Sequence, residues 1–583
     1  MAATRVQDEV DVAIVGGGVG GCYLGYRLLH DGALRHLAAN SALAEIVRGR
    51  EQLQVGLYER TGRLGGRLWS VRFPGLPDVA ADLGGMRFHD SLHLVADLIR
   101  HLGMSGQVTD FTFGQPENLA YLRGVRLRQR ELTAAALSTG AAVLPYRLRP
   151  AEQALGPEEL EQRVTHAALP GFDDLRARYH TAFDHQDWAA ATAAEQEYLQ
   201  RKDTARVDGA PLHTLPWESL LRFVLGPEAL QFVKDAGGYD NLAANGNCAD
   251  WLDVLFHAPR HGRYQRLLGG FDALPLALHA RFRAAGGTTW LHHRLSRIDR
   301  CPGPRNAPAY TLGFVAPDGT PTRQVKARCV LLAMPQGALA ALAPDTFLFQ
   351  DARTRHNLRS VRAIPAVKLF LAYPFPWWQR VGVSRGRSTT DLPLRQLWYW
   401  GAGDASPQAD GPAVLLASYT SGTDTAYWSA LRSGEVYPDA PGLQRVPVPP
   451  DAAPASRGMV ERAHAMLMEL HGINDAPPPF AARCQDWSDA PHGGGWHVWR
   501  EHHLSADIIP EMRQPLADEQ VYVVSDCWSH DPGSVNGSLA MAECTLQDHL
   551  GLPWPAWLRH EGTRLGPRRA DARIPTRGAE PCR

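Results

Sequence analysis

The part of the sequence that most constrains the fold is residues 10–29, VDVAIVGGGVGGCYLGYRLL. The first six predict a short buried strand, and the last eight predict a helix. Between them lie Gly16, Gly18 and Gly21 in Gly-x-Gly-x-x-Gly spacing. Such glycines let the backbone approach a pyrophosphate, which sits at a helix N-terminus because free N–H groups and the helix dipole favour an anion. The segment predicts a βαβ unit that binds a dinucleotide.

An acidic residue is expected at the end of the second strand of such a unit, where it accepts hydrogen bonds from ribose hydroxyls. QVGLY at 54–58 predicts that strand, and Glu59 follows it, 38 residues beyond Gly21. The usual separation is about 20 residues, and a helical insert at 30–50 accounts for the difference. Glu45 has better spacing, but its helical run favours a solvated surface charge. A plain strand-end carboxylate remains the alternative for Glu59.

A second glycine turn follows directly. The run ERTGRLGGR at 59–67 places Arg60 and Arg67 around this turn. Nicotinamide enzymes do not usually need it, whereas the ring system and extra phosphate of a flavin can use it. The pattern Glu-x-x-x-Arg-x-Gly-Gly-Arg after the first fingerprint resembles the flavin-dependent amine oxidase family, and the resemblance covers roughly 10–555.

For the cofactor, the resemblance implies that Glu59 binds the adenosine ribose and that Arg67 lies against FAD. SDCWSHDPGSVNGSL at 525–539 is similar to the closing flavin motif, with Asp526 on the ribityl chain where the family usually has Glu. The N–H of Val535 would face the pyrimidine end and stabilise its reduced anion. The residues expected to hold non-covalent FAD are Gly16, Gly18, Gly21, Glu59, Arg60, Arg67, Gly84, Gly85, Met86, Arg87, Leu295, Asp526, Gly533, Ser534, Val535 and Ser538.

Two further segments bear on the substrate. ADLGGMRF at 81–88 matches a segment of the L-amino acid oxidase branch whose arginine, here Arg87, grips the substrate carboxylate. A guanidinium fork is a natural bidentate partner of a carboxylate, and monoamine and polyamine oxidases have no such group to hold. STTDLPLRQLWYW at 388–400 resembles the same branch, which implies that Tyr399 supplies a second hydrogen bond. A slip of one residue would put Trp398 in that place.

The choice of basic residue singles out one lysine. The chain has 56 arginines and only four lysines, at 202, 234, 326 and 368. Lys368 lies in AVKLFLA, an apolar strand where a charge is costly to bury, so a chemical reason is expected for it. The resemblance implies that Lys368 reaches flavin N5 through a water and assists the reaction with oxygen. A strand-edge lysine that extends to solvent is the alternative.

The side-chain pocket departs from the family pattern. Ser534 stands where relatives usually have Trp or Tyr as one wall of an aromatic cage, so the resemblance implies a more open pocket. Trp496 falls where some relatives have an aliphatic residue and would refill part of the space. Together with Trp398 and Trp400, these residues favour large neutral or aromatic substrates with broad acceptance.

The predicted fold class is α/β, with a discontinuous Rossmann-type FAD-binding domain, a mixed-sheet substrate domain and a helical insert domain that forms part of the entrance funnel. Further candidate strands are AVKLFLAY at 366–373, QLWYW at 396–400 and VYVVSD at 521–526. The expected divisions are 8–69, 262–340 and 512–555 for the FAD-binding domain, 70–127 and 341–511 for the substrate-binding domain, 128–261 for the helical domain and 556–583 for a frayed tail.

Composition excludes several classes of protein. Lys and Arg number 60 and Asp and Glu 61, so no net field would attract nucleic acid or an anionic membrane. No apolar run approaches the ~18 residues that span a bilayer, and MAATRVQDEV at the start has no apolar stretch, so we expect no secretory signal. The eight cysteines form no CxxC pairs, and the 24 histidines show no metal spacing. We therefore expect a cytoplasmic protein without metal, and the resemblance implies a homodimer.

The resemblance implies an FAD-dependent oxidase of L-amino acids. Arg87 and Tyr399 would hold the carboxylate so that hydride passes from Cα to flavin N5; the imino acid would then hydrolyse to a 2-oxo acid and ammonia, while O2 becomes hydrogen peroxide. Three alternatives stay open. A tryptophan 2-monooxygenase-like enzyme would give an amide, an amine or polyamine oxidase would not need Arg87, and the presence of Lys368 counts against a catalytically silent flavin-binding scaffold.

Overall fold

The computed structural model of the chain describes residues 7–30, 37, 41–48, 52–140, 142–239, 246–259, 262–303, 308–401, 411–440, 448, 452–488 and 493–566. Its strands are β1 Gln7–Val15, β2 Val55–Tyr58, β3 Ser70–Phe73, β4 Leu76–Asp82, β5 Phe88–His89, β6 Val108–Asp110, β7 Leu119–Leu122, β8 Val125–Arg128, β9 Arg206–Val207, β10 Ala210–Pro211, β11 Tyr264–Leu267, β12 Thr288–Trp290, β13 Arg294–Pro302, β14 Pro308–Val315, β15 Pro321–Leu332, β16 Val361–Ile364, β17 Ala366–Tyr373, β18 Arg387–Thr390, β19 Gln396–Trp400, β20 Ala413–Ser421, β21 Ala481–Asp486, β22 Trp496–Trp499 and β23 Val521–Val523.

The helices alternate with strands in the outer parts of the chain and dominate its middle. They are α1 Val19–Leu29, α2 Ala42–Val47, α3 His93–His101, α4 Ala134–Ser138, α5 Pro157–Ala168, α6 Phe172–Asp184, α7 Trp188–Thr204, α8 Trp217–Val224, α9 Pro227–Gly237, α10 Cys248–His257, α11 Ala273–Ala284, α12 Gln336–Ala340, α13 Ala352–Leu358, α14 Thr425–Leu431, α15 Arg457–His471, α16 Ser505–Arg513 and α17 Val535–Asp548. Among the described residues, none of these helices combines the length and apolarity needed to cross a membrane.

The first sheet has the strand order β12-β2-β1-β15-β14-β13, and β23 also pairs with β15. Strands β12, β2, β1, β15 and β23 are mutually parallel, whereas β13 and β14 are antiparallel to their neighbours. Residues 12–15 of β1 and the whole of β2 are continuous apolar runs because both faces of these segments are buried. The carboxyl ends of β1, β2, β15 and β23 meet at one edge, where ligands of such sheets bind.

The second sheet has the order β21-β17-β20-β19-β18-β7-β8 and is mixed, since only β18 and β7 run parallel. Side chains alternate between its two faces. Phe370, Trp398 and Leu416 pack in one core, and Leu369 and Tyr399 pack in another on the opposite face. This alternation decides which aromatic residues of β19 can reach a site on one face.

Helices α5 to α10 enclose a core of their own, which includes Leu160, Phe172, Tyr198 and Trp217. Their starts carry side-chain caps where the sequence offers them: Asn247 accepts a hydrogen bond from the Asp250 N–H at α10. The β9–β10 pair interrupts the helical domain predicted for 128–261.

The predicted α/β fold class with mixed sheets is confirmed by this architecture and by the solved structures described below. The division into domains stays a prediction. The tail expected from 556 begins with ordered packing, because Leu558 and Leu565 are buried and Arg559 pairs with Asp97 at 2.7 Å. Residues 567–583, most of the predicted tail, lie outside the described residues, as does much of the helical insert around α2.

Candidate active site

The turn after β1 leaves an open N-terminus on α1. Gly16 has a φ of 111°, a left-handed conformation that suits glycine, and a side chain there would collide with the Ala333 carbonyl. A side chain on Gly21 would collide with the Gly16 carbonyl, so this third glycine brings helix and strand together. Gly18 caps α1 without a side-chain hydrogen bond and has nothing within 4 Å of its Cβ direction. The helix N-terminus therefore faces open space of the kind a pyrophosphate fills.

Glu59 is positioned by the end of β2. Its Oε2 accepts the Gly17 N–H at 2.8 Å, and its Oε1 accepts the Thr61 N–H and hydroxyl, both at 2.8 Å. Oε1 already accepts two hydrogen bonds, whereas Oε2 accepts one and keeps acceptor capacity for a ribose hydroxyl. Glu45, the residue with the shorter spacing, is exposed in the first turn of α2. Only Glu59 of the two lines the cleft.

We expect Glu59→Gln to weaken FAD binding by about 10- to 100-fold, because a charged acceptor contributes about 1.5–3 kcal/mol. The matched control is Glu45→Gln, which removes the same charge from an exposed helix and is expected to leave the dissociation constant unchanged. Titration of apoprotein with FAD, followed by flavin fluorescence, measures both. Equal weakening in the two variants would contradict the assignment.

A cleft of about 1400 Å³, including its open mouth, extends along the carboxyl edge of the first sheet. Twelve of the residues predicted to hold the cofactor line it: Gly16, Gly18, Glu59, Arg60, Arg67, Gly85, Leu295, Asp526, Gly533, Ser534, Val535 and Ser538. Gly21 and Gly84 are behind this lining, where side chains would collide with the backbone, and Met86 is buried in the core of the second sheet. The open helix terminus, the carboxylate and the arginines of the lining fit FAD.

An ion pair joins the two flavin motifs. Arg67 pairs with Asp526, whose other oxygen accepts the Gly533 N–H at 3.2 Å. Arg63, which the sequence reasoning missed, also lines the cleft and donates to the Gly66 carbonyl at 2.6 Å. The sequence could have indicated this role, because Arg63 lies between Arg60 and Arg67 in the same run.

Ser534 shapes the far end of the cleft. It is the N-cap of α17, where its hydroxyl accepts the Gly537 N–H at 2.8 Å and donates to Asp531 Oδ2 at 2.6 Å. A second cavity, lined also by Tyr264 and His530, adjoins Ser534. The small residue therefore leaves open space on both of its sides.

Metal-ligating side chains come together at one place in the described part of the chain, where atoms of His497, Asp526 and Cys527 lie within 4.8 Å of one another. Asp526 is engaged by Arg67, and Cys527 Sγ lies 3.3 Å from His497 Nδ1. Burial, helped by Arg67, lowers the pKa of His497 to about 4. The expectation that the protein uses no metal stays a prediction.

Lys368 lies beside the cleft in the interior. Its Nζ donates to the carbonyls of Asp82 at 3.1 Å and Gly84 at 2.5 Å, and it lies 4.7 Å from the ring of Tyr419. The side chain is buried, so the alternative of a lysine that extends to solvent is wrong. Burial lowers the pKa of Lys368 to about 7; Asp82 opposes this shift and Arg87 adds to it.

Arg87 lies in a box of aromatic rings. Its guanidinium carbon is 4.8 Å from the ring centroid of Phe113, 5.1 Å from Trp398 and 5.3 Å from Tyr264. Its hydrogen-bond partner is the Tyr239 hydroxyl, at 3.4 Å. No carboxylate of the described residues lies within salt-bridge distance. A half-buried guanidinium that aromatic rings surround in this way is suited to an anionic ligand.

The prediction that Tyr399 joins Arg87 is wrong. The Tyr399 hydroxyl bonds Ser388 at 2.8 Å and His471 at 3.0 Å, within the core on the other face of the second sheet. Successive residues of a strand point to opposite faces, so Trp398 faces Arg87 instead. The alternative noted from the sequence, a shift of one residue that puts Trp398 in the place of Tyr399, gives the side chain that faces Arg87.

Two tyrosines that the sequence reasoning missed lie near Arg87. The Tyr239 ring is 5.5 Å from that of Tyr419 and 5.7 Å from that of Trp496, a predicted pocket residue. Tyr419 pairs with Lys368 across β17 and β20, which the register alone reveals. Tyr239 follows α9 and carries no motif, so nothing in the sequence pointed to it.

The comparisons with known proteins decide the family. The family model described as flavin containing amine oxidoreductase matches residues 46–440. The chain belongs to this family. Membership confirms the resemblance inferred from the motifs, and it establishes a flavin as the cofactor and oxidation–reduction as the type of reaction.

Curated relatives of this amine oxidoreductase extend over most of its length. Aplysianin-A of Aplysia kurodai is 26% identical over 94% of this chain and 91% of its own. Achacin of Lissachatina fulica is 27% identical over 89% of this chain and 88% of the length of achacin. L-amino acid oxidase Cdc18 of Crotalus durissus cumanensis is 24% identical over 65% of this chain and 66% of its own.

Solved structures support the fold of this amine oxidoreductase. Cyclohexylamine oxidase from Brevibacterium oxydans superposes with a TM-score of 0.57 at 17% identity, covering 92% of this chain and 99% of its own. A redesigned putrescine oxidase superposes with a TM-score of 0.54 at 16% identity, and the match covers 93% of this chain and 99% of the putrescine oxidase chain.

Proposed function

We propose that this protein is an FAD-dependent L-amino acid oxidase that converts L-amino acids to 2-oxo acids with release of ammonia and hydrogen peroxide. The observation that carries the proposal is Arg87, a half-buried guanidinium with no carboxylate partner among the described residues, close to both Lys368 and the flavin cleft. An amine lacks the carboxylate that such a group would bind. The similarity to L-amino acid oxidase Cdc18 supports the same substrate class.

The side chains around Arg87 can fix the substrate before reaction. Arg87 binds the α-carboxylate as a fork, and Tyr239 replaces Tyr399 as the hydroxyl that shares it. Binding in this way orients the Cα–H bond and removes much of the entropy cost of the reaction. The chemistry that FAD supplies when bound is acceptance of the Cα hydride at N5, with O2 as final electron acceptor. Water then hydrolyses the imino acid.

We propose that FAD binds without a covalent bond, held by the helix terminus, the Glu59 carboxylate and the arginines of the cleft. The test of cofactor and substrate together is a spectrum of the purified protein under anaerobic conditions as L-phenylalanine, then D-phenylalanine, is added. Flavin absorption should bleach with the L form alone and return, with peroxide, when air enters. Absence of a flavin band after addition of FAD would overturn the cofactor assignment.

Product analysis distinguishes the alternatives. A 2-oxo acid supports the oxidase, whereas an amide with loss of carbon dioxide indicates the tryptophan 2-monooxygenase-like reaction. Bleaching by amines but by no amino acid would indicate an amine oxidase. The preference for large neutral or aromatic side chains expected from the sequence, which the rings of Phe113, Trp398 and Trp496 would accept, is the alternative to the acidic specificity proposed below, and turnover of phenylalanine against glutamate decides between them.

We also propose a cytoplasmic homodimer whose partners are the amino acid and O2, with no nucleic acid or membrane. Light scattering of the purified protein tests the dimer.

Replacing Tyr399 with phenylalanine is expected to change kcat/KM for an L-amino acid less than about threefold, because its hydroxyl bonds Ser388 and His471 away from Arg87. Tyr239→Phe removes a hydroxyl beside Arg87 and should lower kcat/KM about tenfold, the effect of about 1.4 kcal/mol. Steady-state kinetics of the two variants measure both. A tenfold loss confined to Tyr399→Phe would restore the assignment made from the sequence.

A further inference from the structure

A second arginine lies in the box that surrounds Arg87. Arg387 begins β18, and its guanidinium carbon is 4.8 Å from the ring centroid of Phe113 and 5.9 Å from that of Trp398. Arg87 lies 4.8 Å and 5.1 Å from the same two rings. The two guanidinium carbons are therefore no further apart than twice 4.8 Å. Like charges at this separation repel one another unless anions lie near them.

The charge of Arg387 is not neutralised by the described residues. Its Nη1 donates to the Gly237 carbonyl at 3.2 Å and to Gln396 Oε1 at 3.4 Å, and no carboxylate in the described part of the chain is within salt-bridge distance. Burial, together with Arg87, lowers the pKa of Arg387 to about 10. The group still bears a positive charge at neutral pH.

Three fully buried arginines of the described chain are treated differently from Arg87 and Arg387, which are half-buried. Carboxylates pair with Arg27, Arg483 and Arg513, at 2.7, 2.7 and 3.3 Å. A buried charge without a partner is costly, so proteins keep one where a ligand completes it. When Arg87 holds the α-carboxylate of an amino acid as a fork, that carboxylate is used by Arg87, and Arg387 is left without an anion.

We propose that Arg387 binds the side-chain carboxylate of a dicarboxylic L-amino acid, of the glutamate and aspartate class, while Arg87 holds the α-carboxylate. This rests on the proposed function. In an extended glutamate the two carboxylate carbons are roughly 5 Å apart, and a bidentate guanidinium carbon lies roughly 4 Å from its carboxylate carbon. Added end to end, the two guanidinium–carboxylate distances and the length of glutamate exceed the largest possible separation of the two guanidinium carbons, twice 4.8 Å. One dicarboxylic amino acid can therefore reach both arginines. The aromatic walls limit screening by water and strengthen both ion pairs.

The test compares L-glutamate with L-glutamine, which differ by one charge and hardly in shape. The wild-type holoenzyme should prefer glutamate by at least tenfold in kcat/KM. Arg387→Met should lower kcat/KM for glutamate about 30-fold and for glutamine less than threefold. The matched control is Arg353→Met, whose side chain is 72% exposed and should leave both values unchanged.

Binding provides a readout that needs no turnover. Glutarate and its monoamide, which lack an α-amino group and cannot be oxidised at Cα, are titrated into the FAD-loaded protein and followed by calorimetry. Wild-type protein should bind glutarate about 30-fold more tightly than the monoamide, and Arg387→Met should remove this difference. The wild-type comparison stands even if the variant does not fold.

Three results would overturn the inference. Faster oxidation of glutamine or phenylalanine than of glutamate by the wild type would leave the proposed function intact and remove the acidic specificity. Equal losses for glutamate and glutamine in Arg387→Met would place both arginines on one carboxylate. Equal binding of glutarate and its monoamide would exclude a second carboxylate site. If no amino acid bleaches the flavin, the proposed function fails, and the glutarate comparison decides the binding claim separately.

Discussion

Arg87→Met is expected to lower kcat/KM for L-amino acids by about 10²- to 10³-fold. The variant removes a bidentate, charge-assisted contact to the α-carboxylate, which contributes about 3–4 kcal/mol in a site that excludes water. The aromatic rings that surround the guanidinium in the protein without substrate accommodate a methionine, since its thioether packs well against rings. The loss should therefore come from the substrate contact and not from unfolding.

The measurement is the rate of anaerobic flavin bleaching in a stopped-flow instrument, for L-phenylalanine and for phenethylamine, which lacks the carboxylate. We expect a large loss with the amino acid and little change in the slow reaction of the amine. Arg353→Met controls for loss of an arginine at the surface. Full activity of Arg87→Met on amino acids would favour an amine oxidase over the proposed function.

Lys368→Met is expected to slow reoxidation of the reduced enzyme by O2 about 10²-fold. Negative charge develops on oxygen in this step, and a buried ammonium is well placed to stabilise it. Because burial brings the pKa of Lys368 to about 7, the ammonium is present below pH 7 and lost as the pH rises through that value. In the wild type the rate constant should therefore fall across this range, and in the variant it should be flat.

Mixing reduced enzyme with oxygenated buffer at pH values from 5.5 to 9 measures the step apart from substrate oxidation. Lys326→Met, a change at a strand residue of the first sheet, is the matched control and should keep the wild-type profile. A pH profile near 7 that survives in Lys368→Met would assign the titration to another group. Unchanged reoxidation would remove Lys368 from the oxygen reaction.

The framework of the fold could be predicted because its strands are short and apolar and end at glycine or proline, as β1 does at Gly16, β17 at Pro374 and β19 at Gly401. β17 and β19 have the bounds expected from AVKLFLAY and QLWYW. Glu59 could be preferred to Glu45 because a carboxylate at a strand end lies near the sheet edge, whatever the length of the insert before it. These inferences use local patterns, which a linear sequence contains.

The box of aromatic rings around Arg87 could be predicted only in part, because it depends on strand register and on packing between residues far apart in sequence. Tyr399 and Trp398 are adjacent in sequence, and only the alternation of β19 against its neighbours shows that Trp398 faces Arg87. Tyr239 reaches the box from the helical region. Arg387 immediately precedes the segment 388–400 that resembles the L-amino acid oxidase branch. Only the fold shows that the Phe113 ring packs against the Arg387 guanidinium.

The ion pair between Arg67 and Asp526 has a consequence for assembly of the protein. It joins residues 459 positions apart, so the cofactor cleft has both of its walls only after β23 and the start of α17 have docked beside β15. Closing so long a loop carries an entropy cost that later contacts must repay. Flavin that binds across this junction favours the docked state by mass action. Supply of the cofactor therefore acts on the docking of β23 and α17, far along the chain from β1, as well as on catalysis.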